Sequence, residues 1–150
     1  MIWHTQGSGK SLTMVMLAKY LLTGLHGCRA KVVVITDRKD LDLQIAATFA
    51  HTRLNPARAT SGKHLVELLN SDRTDIVTII NKFSTAERNE ARNFTRDFFV
   101  LMDESHRSNY GLMANWMREI FPTACFIAFT GATNEVGKNT MARLGGLINK

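Results

Sequence analysis

Hydrophobic positions along this chain form short continuous runs that alternate with stretches of helical spacing. Ile2 to His4 reads as a strand end. Ser11 to Leu22 predicts a helix, with Leu12, Val15, Met16 and Lys19 at helical spacing and Gly24 just beyond it. Lys31 to Thr36 is rich in β-branched residues, as expected of a strand buried on both faces. Asp40 to Ala50 is helical in period through Leu41, Ile45 and Phe49, with Asp40 as its N-cap. His51 to Thr60 is polar, holds Pro56, and predicts a loop or a weak strand. Gly62 precedes a helical stretch from His64 to Leu69. Asp75 to Ile80 predicts a buried strand, and Ser84 to Asp97 an exposed, partly helical excursion. Phe98 to Met102 predicts a strand, Leu112 to Ile120 a helix and Cys125 to Phe129 a strand. Residues 131 to 150 are polar and glycine-containing and predict no definite element.

Strands separated by helices at this rhythm predict an α/β domain, with a mostly parallel sheet between two helical layers and right-handed crossovers. In such sheets chemistry gathers at the carboxyl ends of the strands. The segments after Trp3, after Met102 and after Phe129 all fall there.

Composition narrows the class only a little. Hydrophobic residues make up 45% and charged residues 21%, ordinary for a globular domain. The longest apolar runs are too short to cross a bilayer, and no basic-then-apolar leader opens the chain. Cys28 and Cys125 are far apart and read as reduced thiols of a cytoplasmic protein, not as a metal site. The net charge of +6 and the sequence pI of about 9.7 favour an anionic partner such as nucleic acid. A basic surface merely bathed in solvent fits the charge equally well.

The chemistry begins at "HTQGSGKS", residues 4 to 11. Gly7 and Gly9 permit backbone angles closed to other residues, so the chain can curl around an anion with Ser8 between them. The helix that follows presents unpaired amides and its positive dipole end. Lys10 would reach the β- and γ-phosphates of ATP, and the Ser11 hydroxyl would ligate Mg²⁺. The strict pattern Gly-x-x-x-x-Gly-Lys-Ser/Thr has glycine where this chain has His4, which is expected to be a strand-end residue near the nucleotide. The short Gly-Lys-Ser core arises by chance in about one chain in ten or twenty of this length. Its place between a strand and a helix separates it from a plain glycine turn.

"FFVLMDESH", residues 98 to 106, is an apolar strand ending in two carboxylates. Asp103 would hold Mg²⁺, directly or through water, and Glu104 would accept a proton from the attacking water. Asp-Glu at a strand end can also simply open a turn, and the upstream glycine loop argues against that. His106 lies two positions past the base and is a candidate coupling residue.

The segments "WHTQGSGKSLTM", "TDRKDLDLQ", "NKFS", "DESHRSNYGLMANWMR" and "FIAFTGA" occur in the order found in the motor subunit of type I restriction enzymes. The chain resembles the first RecA-like domain of that subunit, a three-layer P-loop NTPase of helicase superfamily two, over residues 1 to about 132. The resemblance implies an ATP-driven translocase of double-stranded DNA that also cuts DNA. It implies Gly7, Ser8, Gly9, Lys10 and Ser11 as the first helicase motif, and Asp103, Glu104 and His106 as the second. Thr130 and Gly131 correspond to the third, which relays nucleotide state to the DNA-binding surface. Arg38, Lys39 and Lys82 fall in segments the family places near DNA, although a solvated surface would also explain these cations. Ser105 stands where the family has alanine, and "FTGATNE" departs from the family's Thr-Pro continuation after Gly131.

In that family a nuclease domain precedes the phosphate loop, and a second RecA-like domain follows with an arginine completing the ATP site. Residues 1 to 150 are expected to hold neither, and no Glu-x-Lys nuclease pair occurs among them. Modification and specificity subunits are the further partners implied, with no membrane involved. Other readings are a superfamily-two helicase domain acting on other DNA or RNA, and a truncated, non-catalytic nucleotide- and nucleic-acid-binding module.

Overall fold

A computed structural model of the 150-residue chain describes residues 2–3, 9–24, 30–37, 45, 47–52, 54–85, 97–103 and 115–130. The strands are β1 (Ile2–Trp3), β2 (Ala30–Thr36), β3 (Ala57–Arg58), β4 (Asp75–Ile79), β5 (Asp97–Asp103) and β6 (Cys125–Thr130). They form one six-stranded sheet in the order β1-β6-β5-β2-β4-β3. Every neighbouring pair is parallel. Helix α1 (Lys10–Thr23), helix α2 (Gly62–Asn70) and a 3₁₀ turn (Ile80–Ser84) connect them. Residues 47–50 and 115–120 are also helical.

The central strands carry apolar side chains on both faces because helices cover both faces. Alternation along β2 and β5 sorts them. Val32, Val34, Phe99 and Leu101 pack with Met14, Val15, Ala18 and Leu21 of α1 and with Ile45 and Phe49. Val33, Ile35, Val100 and Met102 pack with Leu65, Val66 and Leu69 of α2 and with Met117 and Ile120. The predicted three-layer α/β arrangement is therefore present. The second core is knitted by Phe121, whose ring lies 5.3 Å from Phe98, 6.0 Å from Phe83 and 6.5 Å from Phe126.

Several local expectations are corrected. The buried face of α1 runs through Met14, Val15, Ala18 and Leu21, while Leu12 and Met16 point to solvent, more than half exposed along with Tyr20. Gly62 is the first residue of α2 and does not precede it; the N-cap is Ser61, whose hydroxyl accepts a hydrogen bond from the His64 amide at 3.1 Å. Asp97 opens β5 and does not close an exposed excursion, and Ile80 leaves β4 for the 3₁₀ turn. Gly24 ends α1 as expected, donating its amide to the Tyr20 carbonyl at 2.7 Å. A Cβ there would sit 2.5 Å from that same oxygen, so the close approach itself requires glycine. The Asp40 cap, Leu41, most of the 84–97 excursion and residues 131–150 lie outside the described residues, as does Cys28. Cys125 is a free thiol. Among the described residues no helix is long and apolar enough to cross a membrane.

Two buried ionisable side chains, Lys31 and Asp75, lie at the amino ends of the strands. Lys31 is 1% exposed, and its ammonium donates to the carbonyls of Leu69 and Ser71 at 2.7 Å and of Leu68 at 3.3 Å. These carbonyls lie at the C-terminal end of α2, the negative end of its dipole, and that of Leu68 also accepts from the Ser71 amide and hydroxyl. The same ammonium lies 5.7 Å from the Phe98 ring centre. Asp75 opens β4, and burial pushes its carboxyl above the usual value. Hydrogen bonds from its own amide and that of Asn55, and the nearby Arg73, pull the other way without cancelling the effect.

Candidate nucleotide site

Parallel register brings the three suspect strand ends together. Trp3 pairs with Thr130, and Phe129 pairs with Asp103, so the carboxyl ends of β1, β6 and β5 stand side by side. β6 lies between the strand that leads into the glycine loop and the strand that ends in the carboxylate. Adjacent strands are about 4.8 Å apart, so the outer two are separated by roughly 10 Å. α1 packs over β2 and β5.

Gly9 caps α1 with φ 77° and ψ 23°, in the left-handed region. Its carbonyl accepts from the Thr13 amide at 3.0 Å and from the Thr13 hydroxyl at 3.3 Å. The helix therefore starts at Lys10, and Lys10 and Ser11 occupy its first turn. Among the described residues no carboxylate lies in that turn and Gly9 makes no side-chain cap, and the turn carries the positive end of the α1 dipole.

Asp103 is 1% exposed at the end of β5, on the α1 face by alternation from Phe99 and Leu101. Lys10 reaches it: the ammonium lies 3.0 Å from Asp103 Oδ1, with the lysine side chain 17% exposed. The two residues singled out from separate motifs thus meet in space. Ser11, next to Lys10 in the first turn of α1, is half-buried. A buried carboxylate and a hydroxyl in the first turn of α1 are ligands suited to Mg²⁺, and the Lys10 ammonium is suited to phosphate.

Other predicted site residues divide simply. Thr130 ends β6, between β1 and β5, where its backbone pairs with Trp3. Lys82 is half-buried in the 3₁₀ turn at the carboxyl end of β4, with β2 between that strand and β5. It shares the sheet edge with the site but is not part of the Lys10–Asp103 cluster. Gly7, Ser8, Arg38, Lys39, Glu104, His106 and Gly131 lie outside the described residues. Sequence reasoning missed the buried Lys31, which no local pattern distinguishes from an exposed strand-end lysine.

A parallel sheet with this turn into α1 and this strand-end carboxylate has the fold of a RecA-like α/β domain. The solved helicase domain of Pyrococcus furiosus Hef superposes with a TM-score of 0.63 at 23% identity, over 96% of this chain and 32% of that one. The sequence profile of the SWI2/SNF2 ATPases matches residues 1–150, and the chain belongs to that family. Its curated relatives include the putative type I restriction enzyme MjaIXP endonuclease subunit of Methanocaldococcus jannaschii, 36% identical over 133 residues. The HindI endonuclease subunit of Haemophilus influenzae is 36% identical over 152 residues. The matches cover 86% and 87% of this chain but only 13% and 14% of those relatives. The chain thus spans about a seventh of the length of the curated relatives it matches.

Proposed function

We propose that the chain is the ATP-binding half of an ATP-dependent motor that translocates double-stranded DNA within a type I restriction enzyme. The observation that carries this reading is the Lys10–Asp103 contact at the N-terminus of α1, in a chain related to endonuclease subunits of such enzymes. Gly7, Ser8 and Gly9 wrap backbone amides around the phosphates, and Lys10 takes the β- and γ-phosphate charge. Ser11 and Asp103 would hold Mg²⁺, which supplies positive charge to the transferring phosphoryl group. Glu104 follows Asp103 directly and orients and deprotonates the attacking water. His106, Thr130 and Gly131 couple the site to a DNA surface that includes Arg38, Lys39 and Lys82.

A second RecA-like domain is proposed to supply an arginine across the cleft, with a nuclease domain preceding the phosphate loop in the same polypeptide. Modification and specificity subunits are the proposed partners, in the cytoplasm. An arginine finger is worth on the order of 10³ to 10⁵ in rate. Residues 1–150 alone should therefore bind Mg-ADP yet turn over ATP close to background. Fusion to a second motor domain should restore DNA-stimulated hydrolysis, and Glu104→Gln should remove it again while sparing nucleotide binding. Calorimetry with Mg-ADP is the direct test. Equal affinity for wild type and a folded Lys10→Ala variant would rule the site assignment out.

A further inference from the structure

We propose that the outer face of α1 is an interdomain contact, covered by the part of the polypeptide that precedes β1. The proposal rests on the reading above that a longer polypeptide carries this domain.

Helix α1 is apolar on two opposite faces. Met14, Val15, Ala18 and Leu21 are buried on the sheet side. Leu12, Met16 and Tyr20 recur once per turn and are 56%, 58% and 53% exposed. At about 100° per residue this row points away from the sheet, opposite the buried face. Among the exposed residues of α1 only Lys19 is charged. Helix α2 has the usual surface pattern instead, with Lys63, Glu67 and Asn70 exposed. A helix apolar on both sides belongs between two layers.

The size of the patch and the polarity of the sheet select what covers it. Three side chains fall well short of the roughly 800 Å² that each partner contributes to a stable complex, so a second copy does not suffice. A cover within the same polypeptide needs less area, because the linkage raises its effective concentration. The matches take in only 13% and 14% of the curated relatives, so most of such a polypeptide lies outside these residues. The strands are parallel, and α1 runs back from the carboxyl end of β5, where Lys10 meets Asp103, to the edge at which β2 starts. Tyr20 therefore lies toward the edge at which the chain enters β1. The proposed second motor domain faces the opposite, carboxyl edge. The region before β1 is thus the one placed to run along Leu12, Met16 and Tyr20, with an apolar, uncharged surface turned to them.

Met16 reports its own cover, because its thioether oxidises according to exposure. Met14, Met102 and Met117 are 0% exposed and serve as protected standards in the same sample. Peroxide footprinting read by mass spectrometry compares wild-type residues 1–150 with the longer polypeptide that carries them. In residues 1–150 Met16 should oxidise fast and the standards slowly. In the longer polypeptide Met16 should slow at least about tenfold, toward the standards. Removing the region before β1 should restore the fast rate. Should that shortened polypeptide fail to fold, a photo-cross-linking benzoylphenylalanine in place of Tyr20 decides. It should join α1 to a peptide preceding β1, and a cross-link to any other region overturns the proposal. Equal Met16 rates in the short and long polypeptides overturn it as well. So does protection already present in residues 1–150, whether it rises with concentration, as a second copy would give, or not. Protection that needs an added subunit has the same consequence. Mg-ADP calorimetry on the same samples tests the nucleotide reading separately. Binding with an uncovered Met16 removes only the interface and leaves the nucleotide site standing.

Discussion

Replacing Lys10 by methionine should destabilise the chain mainly through what it leaves behind. Methionine keeps the length and apolar stem of lysine and removes the charge, so packing at the first turn of α1 is nearly unchanged. At 3.0 Å and an effective dielectric of about 20, the lost attraction is roughly 5 kcal/mol before desolvation is counted. Both partners pay to leave water, and Lys10 pays less because 17% of its side chain remains exposed. Removing one partner of a buried pair costs about 3–5 kcal/mol, and partial access of water to the Lys10 side argues for about 3 kcal/mol. That is a large share of the roughly 5–15 kcal/mol that holds a domain together.

The double variant Lys10→Met/Asp103→Asn separates the pair's own contribution from the cost of burying the carboxylate without the ammonium. An uncharged amide in place of the carboxylate no longer needs the ammonium. The double variant should therefore be more stable than Lys10→Met alone, with a coupling energy of about 2 kcal/mol. Urea unfolding followed by circular dichroism, at low and at 1 M salt, measures all four corners of the cycle. Salt should change the coupling little, because the Debye length governs exposed pairs and this carboxylate is buried. A coupling within about 0.5 kcal/mol of zero would show that the two side chains are neighbours without being partners.

Two other outcomes follow from the same geometry. Gly9→Ala should cost about 1–2 kcal/mol although an added Cβ meets nothing within 4 Å, because φ 77° is a left-handed conformation that alanine resists; Gly9→Asn should cost less, and equal melting temperatures for all three would refute the strain. Asp75 carries a pH signature: its folded pKa is raised above 3.8, so the native state holds a proton that the unfolded chain has released. Stability from this group is present below 3.8 and lost as pH rises through the raised value, so wild type should weaken relative to Asp75→Asn across that window. A difference that is flat with pH, or of opposite slope, would show that the carboxyl is not desolvated.

How far the sequence reveals this fold depends on whether the cause of each feature is local. β2, β4 and β5 are legible because strands buried on both faces need uninterrupted apolar runs, and Val32 to Ile35 and Phe98 to Met102 are such runs. The span of α1 is legible and its buried face is not. Apolar residues line both sides of that helix, so spacing alone cannot choose Met14, Val15, Ala18 and Leu21 over Leu12, Met16 and Tyr20. The sheet makes the choice, through contacts with β2 and β5. Lys31 is hidden for the same reason in reverse. A lysine at a strand start reads as polar, and only the arrival of the α2 carbonyls makes its burial tolerable. Gly62 reads as a helix breaker until Ser61 caps the amides ahead of it.

The site is legible for a different reason: topology converts two distant motifs into one contact. A Gly-Lys-Ser turn and an Asp-Glu strand end are each weak signals, and each has an innocent explanation as a turn. In a parallel α/β sheet both must lie at the carboxyl edge, because both follow strands that run the same way. With β6 between β1 and β5, an acid ending β5 lies two strand spacings, roughly 10 Å, from the end of β1. A side chain at the loop's start could not cover that distance. α1 must begin near the end of β5 before a lysine of its first turn can reach the carboxylate. Gly9 turns left-handed, α1 starts at Lys10, and the helix packs over β2 and β5. Ser11 could not substitute for Lys10 in this role, since its hydroxyl is carried on a single carbon. The strand order therefore fixes the position and the length of the cation that Asp103 requires, and this is why two short motifs with independent local explanations converge on one site.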